Sequence, residues 1–186
     1  MRKYIIMVIV VGFALLGAQQ LFPKFTLDDL DGNSCSLDSI LAVKKPVVLT
    51  FWATWCKPCR KELNKLVEYW SKWDTIPQEP PFVVVAICED SPRSIRKAKL
   101  LAEKEGWTKF ILLYDKGGNV KMKAGVVEIP ESFILGPDGF IDYRHIGFVA
   151  GDEQEIFDRI EKMVDKLKQK SESTEPATEN EPATSD

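Results

Sequence analysis

Apolar and polar positions alternate between two kinds of pattern along this chain. An almost unbroken apolar run at 47–52 reads as a strand buried on both faces, a run at 82–88 as a second buried strand, and 110–114 is a third apolar run. Elsewhere the apolar residues recur at helical steps: Leu63, Leu66, Val67, Trp70 and Trp73 after the first run, and Ile156, Ile160, Met163, Val164 and Leu167 near the end. Turn residues mark the joints. Asp31-Gly32-Asn33 interrupts an alternating stretch at 25–37, which predicts a short hairpin. Gly136-Pro137-Asp138-Gly139 predicts a tight antiparallel turn between runs at 132–135 and 140–143. Ser91 as N-cap, Pro92 in the first turn and Gly106 as the stop bound one helix, and a short helical piece reaches Ala124. Asp152 is placed to cap the last helix, with Glu155 at the capping-box position. The order is hairpin, strand–helix–strand, an extra strand and helix, hairpin, helix. That is an α/β chain.

Composition narrows the class. A chain of 186 residues with 45% apolar content holds one domain plus appendages, and a net charge of −3 gives no basic field for nucleic acid. Residues 171–186 contain five acids, no base and no large apolar side chain; such a segment cannot offset its ordering entropy and is expected to be a disordered acidic tail. At the other end, Arg2 and Lys3 precede an apolar run from Ile5 to Leu16, the layout of a secretory leader. Residues 1–22 are therefore read as a signal peptide or an N-terminal membrane anchor, and both imply export. The domain is expected over residues 23–170. Arg93, Arg96, Lys97, Lys99 and Lys104 read as the solvated face of their helix.

The chemistry lies where the first apolar run meets the first helix. Cys56 and Cys59 stand at C-x-x-C spacing, with Lys57 and Pro58 between them. Pro58 fits the first turn of a helix, where its missing N–H removes no bond. Free amides and the helix dipole at that end stabilise a thiolate on Cys56, and the thiolate is the nucleophile of disulfide exchange. Cys59, one turn on, is placed to resolve the mixed disulfide. A zinc site wants a second cysteine pair or paired histidines, and the chain has one His and no such pair. A stapling disulfide gains from closing a long loop, whereas this one is short.

The run FWATWCKPCRKE resembles the thioredoxin superfamily, and within it the TlpA/ResA-like thiol-disulfide oxidoreductases, over roughly residues 24 to 168. The resemblance implies a thioredoxin fold with an N-terminal β-hairpin and a central βα insert. It implies that Ile129-Pro130, in GVVEIPESFIL, forms the cis-proline loop facing the cysteines. Trp55, Lys57, Pro58, Ile129 and Pro130 are then the candidates for touching substrate, with Glu131 and Ser132 standing where threonines are usual. It also gives Glu62 a role: a carboxylate three residues after Cys59 can take its proton and raise thiolate pKa values. Its alternative is a first-turn acid answering the helix dipole. Thr50 occupies the position of the buried aspartate of thioredoxin and cannot act as a base. Asn64 replaces the family's usual proline. No cofactor is expected beyond the Cys56–Cys59 couple. The implied partners are proteins with disulfides or thiols and a membrane electron donor or acceptor, in a periplasmic or other extracytoplasmic setting, with c-type cytochrome maturation as one destination.

Cys35 and Cys88 complete an even count of four cysteines. In an oxidising compartment they form either a structural disulfide or two inert core thiols. His145, the only histidine, reads as structural. Other functions stay open: a disulfide oxidase or isomerase, towards which the Lys57 cation tilts slightly; a non-catalytic exported binding module; and a peroxidase on the same fold. The peroxidase would need a threonine-containing motif ahead of its cysteine, and Leu49 stands seven positions before Cys56.

Overall fold

The computed structural model describes residues 19–73 and 80–172, so the leader reading for residues 1–18 and the tail reading for residues 173–186 fall outside the described residues. The chain orders as β1 (Thr26–Asp29), β2 (Ser34–Ser36), α1 (Leu37–Leu41), β3 (Val47–Trp52), α2 (Lys57–Trp73), β4 (Val83–Cys88), α3 (Ile95–Glu105), β5 (Ile111–Tyr114), α4 (Asn119–Lys123), β6 (Glu131–Leu135), β7 (Ile141–Ile146) and α5 (Asp152–Glu172). These strands form one mixed sheet in the order β2-β1-β5-β4-β3-β6-β7. The three apolar runs become β3, β4 and β5, which are parallel neighbours; β3 is buried throughout and β4 nearly so, whereas in β5 only Leu113 is fully buried. Both predicted hairpins form, as does the extra β5–α4 unit. This is the thioredoxin fold with the expected hairpin and insert.

Two apolar clusters explain why β3 and β4 carry no polar face. On one side Val48, Trp52, Val84, Ala86 and Cys88 pack under α2, α3 and α5. On the other, Leu49, Phe51, Val85 and Ile87 pack with Phe22, Phe25, α1 and α4. A strand covered on both faces has no solvent-facing polar row; β3 is buried throughout, and its one polar side chain, Thr50, is hydrogen-bonded to Glu62. Phe22 is buried, its N–H donates to Gly139 O, and Gln20 O accepts from Ile141. The packed domain thus takes in residues 20–22, which the sequence reading gave to the leader. At the other end α5 runs two residues into the segment read as tail. Among the described residues no helix is long and apolar enough to cross a membrane.

Several local details depart from expectation. The helix α3 begins at Ile95 rather than after Ser91, because residues 92–94 form a turn closed by Ser94 N–H to Ser91 O at 2.8 Å. The Ser91 hydroxyl lies 3.3 Å from that of Ser94 and caps nothing. Asp152 is the first residue of α5, but its carboxylate faces backwards, accepting from Val149 N–H at 2.7 Å and His145 Nε2 at 3.1 Å. Glu155 pairs with Arg159, and it is Glu153 that reaches back to the Gly151 amide. On α2 the buried stripe is Cys59, Glu62, Leu63, Leu66 and Tyr69, with Val67, Trp70 and Trp73 only half-buried. Tyr69 takes the interior because its ring stacks on Phe157 at 4.0 Å and its hydroxyl donates to Glu161. The helix α1 was not foreseen; a reciprocal Ser36–Ser39 capping box starts it.

Candidate active site

The parallel strands β3, β4 and β5 end on one edge of the sheet, and β3 delivers its chain there directly into α2. Between them Cys56 N–H donates to Ala53 O at 3.0 Å, closing a tight turn. The Cys56 carbonyl accepts from Arg60 N–H at 3.3 Å, so Cys56 takes the N-cap place of α2. Its sulfur also accepts from Cys59 N–H at 3.2 Å. Cys56 and Cys59 are joined as a disulfide, both sulfurs largely covered, with Cα atoms 5.3 Å apart. The Cys56 sulfur therefore sits where unpaired helix amides converge, the position that stabilises a thiolate once the bond is reduced.

From the opposite side comes the segment before β6. The Ile129–Pro130 peptide bond is cis. It brings Ile129 O to 3.7 Å from the Cys56 sulfur, while the Pro130 carbonyl is held by Gly147 N–H at 2.8 Å. Around the disulfide, Lys57 and Pro58 are exposed, Ile129 is half-buried and Pro130 is buried. Trp55, the residue before Cys56, is conspicuous as a large apolar side chain 69% exposed. The structure thus gathers Trp55, Lys57, Pro58, Ile129 and Pro130 on one surface around the cysteines.

Glu62 lies one turn beyond Cys59 on the inner side of α2 and is almost completely buried. Thr50 and Ser132 are cross-strand partners on β3 and β6, so their hydroxyls stand side by side beneath it. Thr50 Oγ1 donates to one carboxylate oxygen at 3.0 Å and Ser132 Oγ to the other at 2.5 Å. Burial pushes the Glu62 carboxyl up to about 7; the two hydroxyl bonds pull in the opposite direction. A first-turn acid answering the dipole would be solvated. This one is an interior acid poised to gain or lose a proton near neutrality, one helical turn from Cys59. Thr50 holds one oxygen of that buried carboxylate.

Sequence reasoning missed the groups that brace the site. Asp90, just past β4, accepts from the Thr54 amide and hydroxyl at 2.8 and 3.0 Å. Glu131, buried directly after the cis-proline, pairs with Arg144, whose guanidinium also donates to Gly125 O at 2.9 Å. Lys121 bonds Glu89 at 2.6 Å and its amide donates to Asp115. The only readable signal was that Glu131 and Ser132 replace the usual threonines; for Asp90 there was none. His145 is structural in its contacts, bonded to Asp152 and near the Tyr143 hydroxyl.

The Cys35–Cys88 disulfide does not form, and both thiols are free. Cys35 on β2 pairs with Leu27 of β1, and β1 pairs with β5 before β4 and Cys88 are reached. Three strand spacings of about 4.8 Å separate them, roughly twice the ~7 Å that a disulfide can span. They also join different cores. Cys88 is fully buried, which pushes its thiol well above the ordinary cysteine range.

The AhpC/TSA family model matches residues 18–144. A thiol-disulfide oxidoreductase ResA from Bacillus thuringiensis subsp. konkukian is 33% identical over 117 residues, 63% of this chain and 62% of that protein. The chain thus matches somewhat less than two thirds of the ResA length. The thioredoxin-like protein YneN of Bacillus subtilis is 32% identical over 133 residues, covering 72% of this chain and 74% of YneN. Among solved structures, a Chlorobium tepidum protein assigned as the thiol:disulfide interchange protein DsbE superposes with a TM-score of 0.68 at 25% identity, covering 78% of this chain and 96% of its own.

Proposed function

The chain belongs to the AhpC/TSA family, among the ResA- and DsbE-like thiol-disulfide oxidoreductases of the thioredoxin superfamily, and from that premise we propose that it reduces disulfides in exported proteins. One observation carries the reading: the Cys56 sulfur lies between a helix N-terminus and the cis-Pro130 segment, with a buried proton-accepting carboxyl one turn behind Cys59. In the reduced protein the Cys56 thiolate attacks a substrate disulfide and forms a mixed disulfide, expelling one substrate thiolate. Cys59 gives its proton to Glu62 and attacks the Cys56 sulfur. The second substrate thiolate leaves, and the Cys56–Cys59 disulfide is regenerated with two electrons passed to the substrate. A dithiol donor then reduces the pair for the next cycle.

Direction follows from which form the site favours. A destabilised thiolate makes a couple more reducing, at ~1.4 kcal/mol for every 30 mV. Buried Glu62 disfavours thiolates at the pair, whereas the Lys57 cation is exposed and screened. The balance favours a reductant. The apolar run at residues 5–16 supports export, with anchoring or release as its two outcomes, and the TlpA/ResA-like resemblance adds a membrane donor and c-type cytochrome maturation to the proposal. The test is insulin reduction with dithiothreitol. The wild type should accelerate it, Cys56→Ser should not, and peroxide should not be consumed. Absence of acceleration by the wild type would sink the proposal. Partners captured by Cys59→Ala in the exporting cell then identify the substrate.

A further inference from the structure

Asp90 has no part in the exchange steps above, yet both its oxygens are engaged by groups near the cysteines. It lies just beyond β4, 5% exposed. One oxygen accepts from the Thr54 amide at 2.8 Å and from the Cys88 thiol at 3.4 Å. The other accepts from the Thr54 hydroxyl at 3.0 Å. Thr54 is itself buried and stands two residues before Cys56, inside the turn that Cys56 closes on Ala53 O. Two bonds to one residue fix both the position and the rotation of that peptide. A single bond would leave the turn free to pivot.

We propose that Asp90 is a positioning residue for the nucleophile: through Thr54 it holds the turn that sets the Cys56 sulfur against the Cys59 amide. The inference deepens the disulfide-exchange reading and rests on it for its catalytic meaning. The physical chain is short. The 3.2 Å bond from Cys59 N–H to the Cys56 sulfur helps to stabilise a thiolate there, and such bonds weaken steeply as distance and angle degrade. Among the described residues, no other side chain of β4 or of the segment after it is hydrogen-bonded to the turn. Its remaining tie to that strand is Glu89 N–H to Trp52 O at 2.9 Å, which fixes the end of β3 rather than the turn.

The deciding variant is Thr54→Val, which matches threonine in shape, keeps the Asp90 charge in place and removes the hydroxyl bond alone. Asp90→Ala is less informative, since removing a negative charge lowers the Cys56 pKa while losing the brace raises it. Three readouts on the full chain separate the outcomes. Alkylation of reduced protein against pH should show the Cys56 pKa raised by about one unit in Thr54→Val, a tenfold loss of thiolate at pH values below it. Amide exchange at residues 54–56 should accelerate. Thr54→Ser, which keeps both donors, should restore both. A Thr54→Val protein with wild-type Cys56 titration and amide exchange overturns the proposal. Insulin reduction by the wild type stands apart: its failure would overturn the proposed function, while the Cys56 titration would still decide the role of Asp90.

Discussion

Glu62 is where the residue scale carries most of the chemistry. Its carboxyl is raised from the ordinary 4.5 to about 7 because the interior penalises its charge more than two hydroxyl donors compensate. Between those two values the folded protein binds a proton that the unfolded chain has released. Stability should therefore fall as pH rises from about 4.5 to about 7, by about 3 kcal/mol, and level off above. Glu62→Gln removes the charge and keeps the shape, with either hydroxyl free to rotate and accept from the amide. Melting temperature measured against pH should lose that decline in the variant. The same change should lower the thiolate pKa values and slow turnover about ten- to hundredfold near pH 7. A pH–stability profile identical to that of the wild type would show that Glu62 does not titrate in the interior.

At the scale of elements, boundaries depend on what the terminal side chains find to bond. Gly106 ends α3 as the sequence indicated, with φ of 78° in the left-handed region and open space where a Cβ would stand. Gly106→Ala should cost about 1–2 kcal/mol from backbone strain alone, lowering the melting temperature by a few degrees and leaving the insulin-reduction rate unchanged. Ser91 and Asp152 looked like caps and are not, because a neighbouring hydroxyl and the His145 ring claim their oxygens first. Asn64 shows the converse. It replaces a family proline in an unbroken α2, and its amide joins that helix to the end of α3 through Trp107 at 2.7 Å and Glu105 at 3.1 Å. Neither partner could be inferred from the position of Asn64 in the chain.

For the whole molecule, strand order settles which cysteines can meet. Non-reduced protein titrated in denaturant should show two free thiols, and peptide mapping should place the single disulfide at Cys56–Cys59. Finding Cys35 joined to Cys88 would contradict the sheet order itself. The sequence determined the features that rest on local rules: the three apolar runs that become strands, the hairpins with their Asp-Gly and Pro-Asp-Gly turns, and a cysteine pair at a helix start. Period, turn chemistry and C-x-x-C spacing are each written within a few residues, so they survive without knowledge of the rest. Tertiary structure decided everything that depends on which strand lies beside which. It placed β1 and β5 between Cys35 and Cys88. It set Ser132 beside Thr50 so that two hydroxyls hold Glu62, and brought Asp90 across to Thr54. These contacts join residues 12 to 70 positions apart. Burial then converts them from weak bonds in water into determinants of proton affinity, because only a closed interior makes the charge of Glu62 costly.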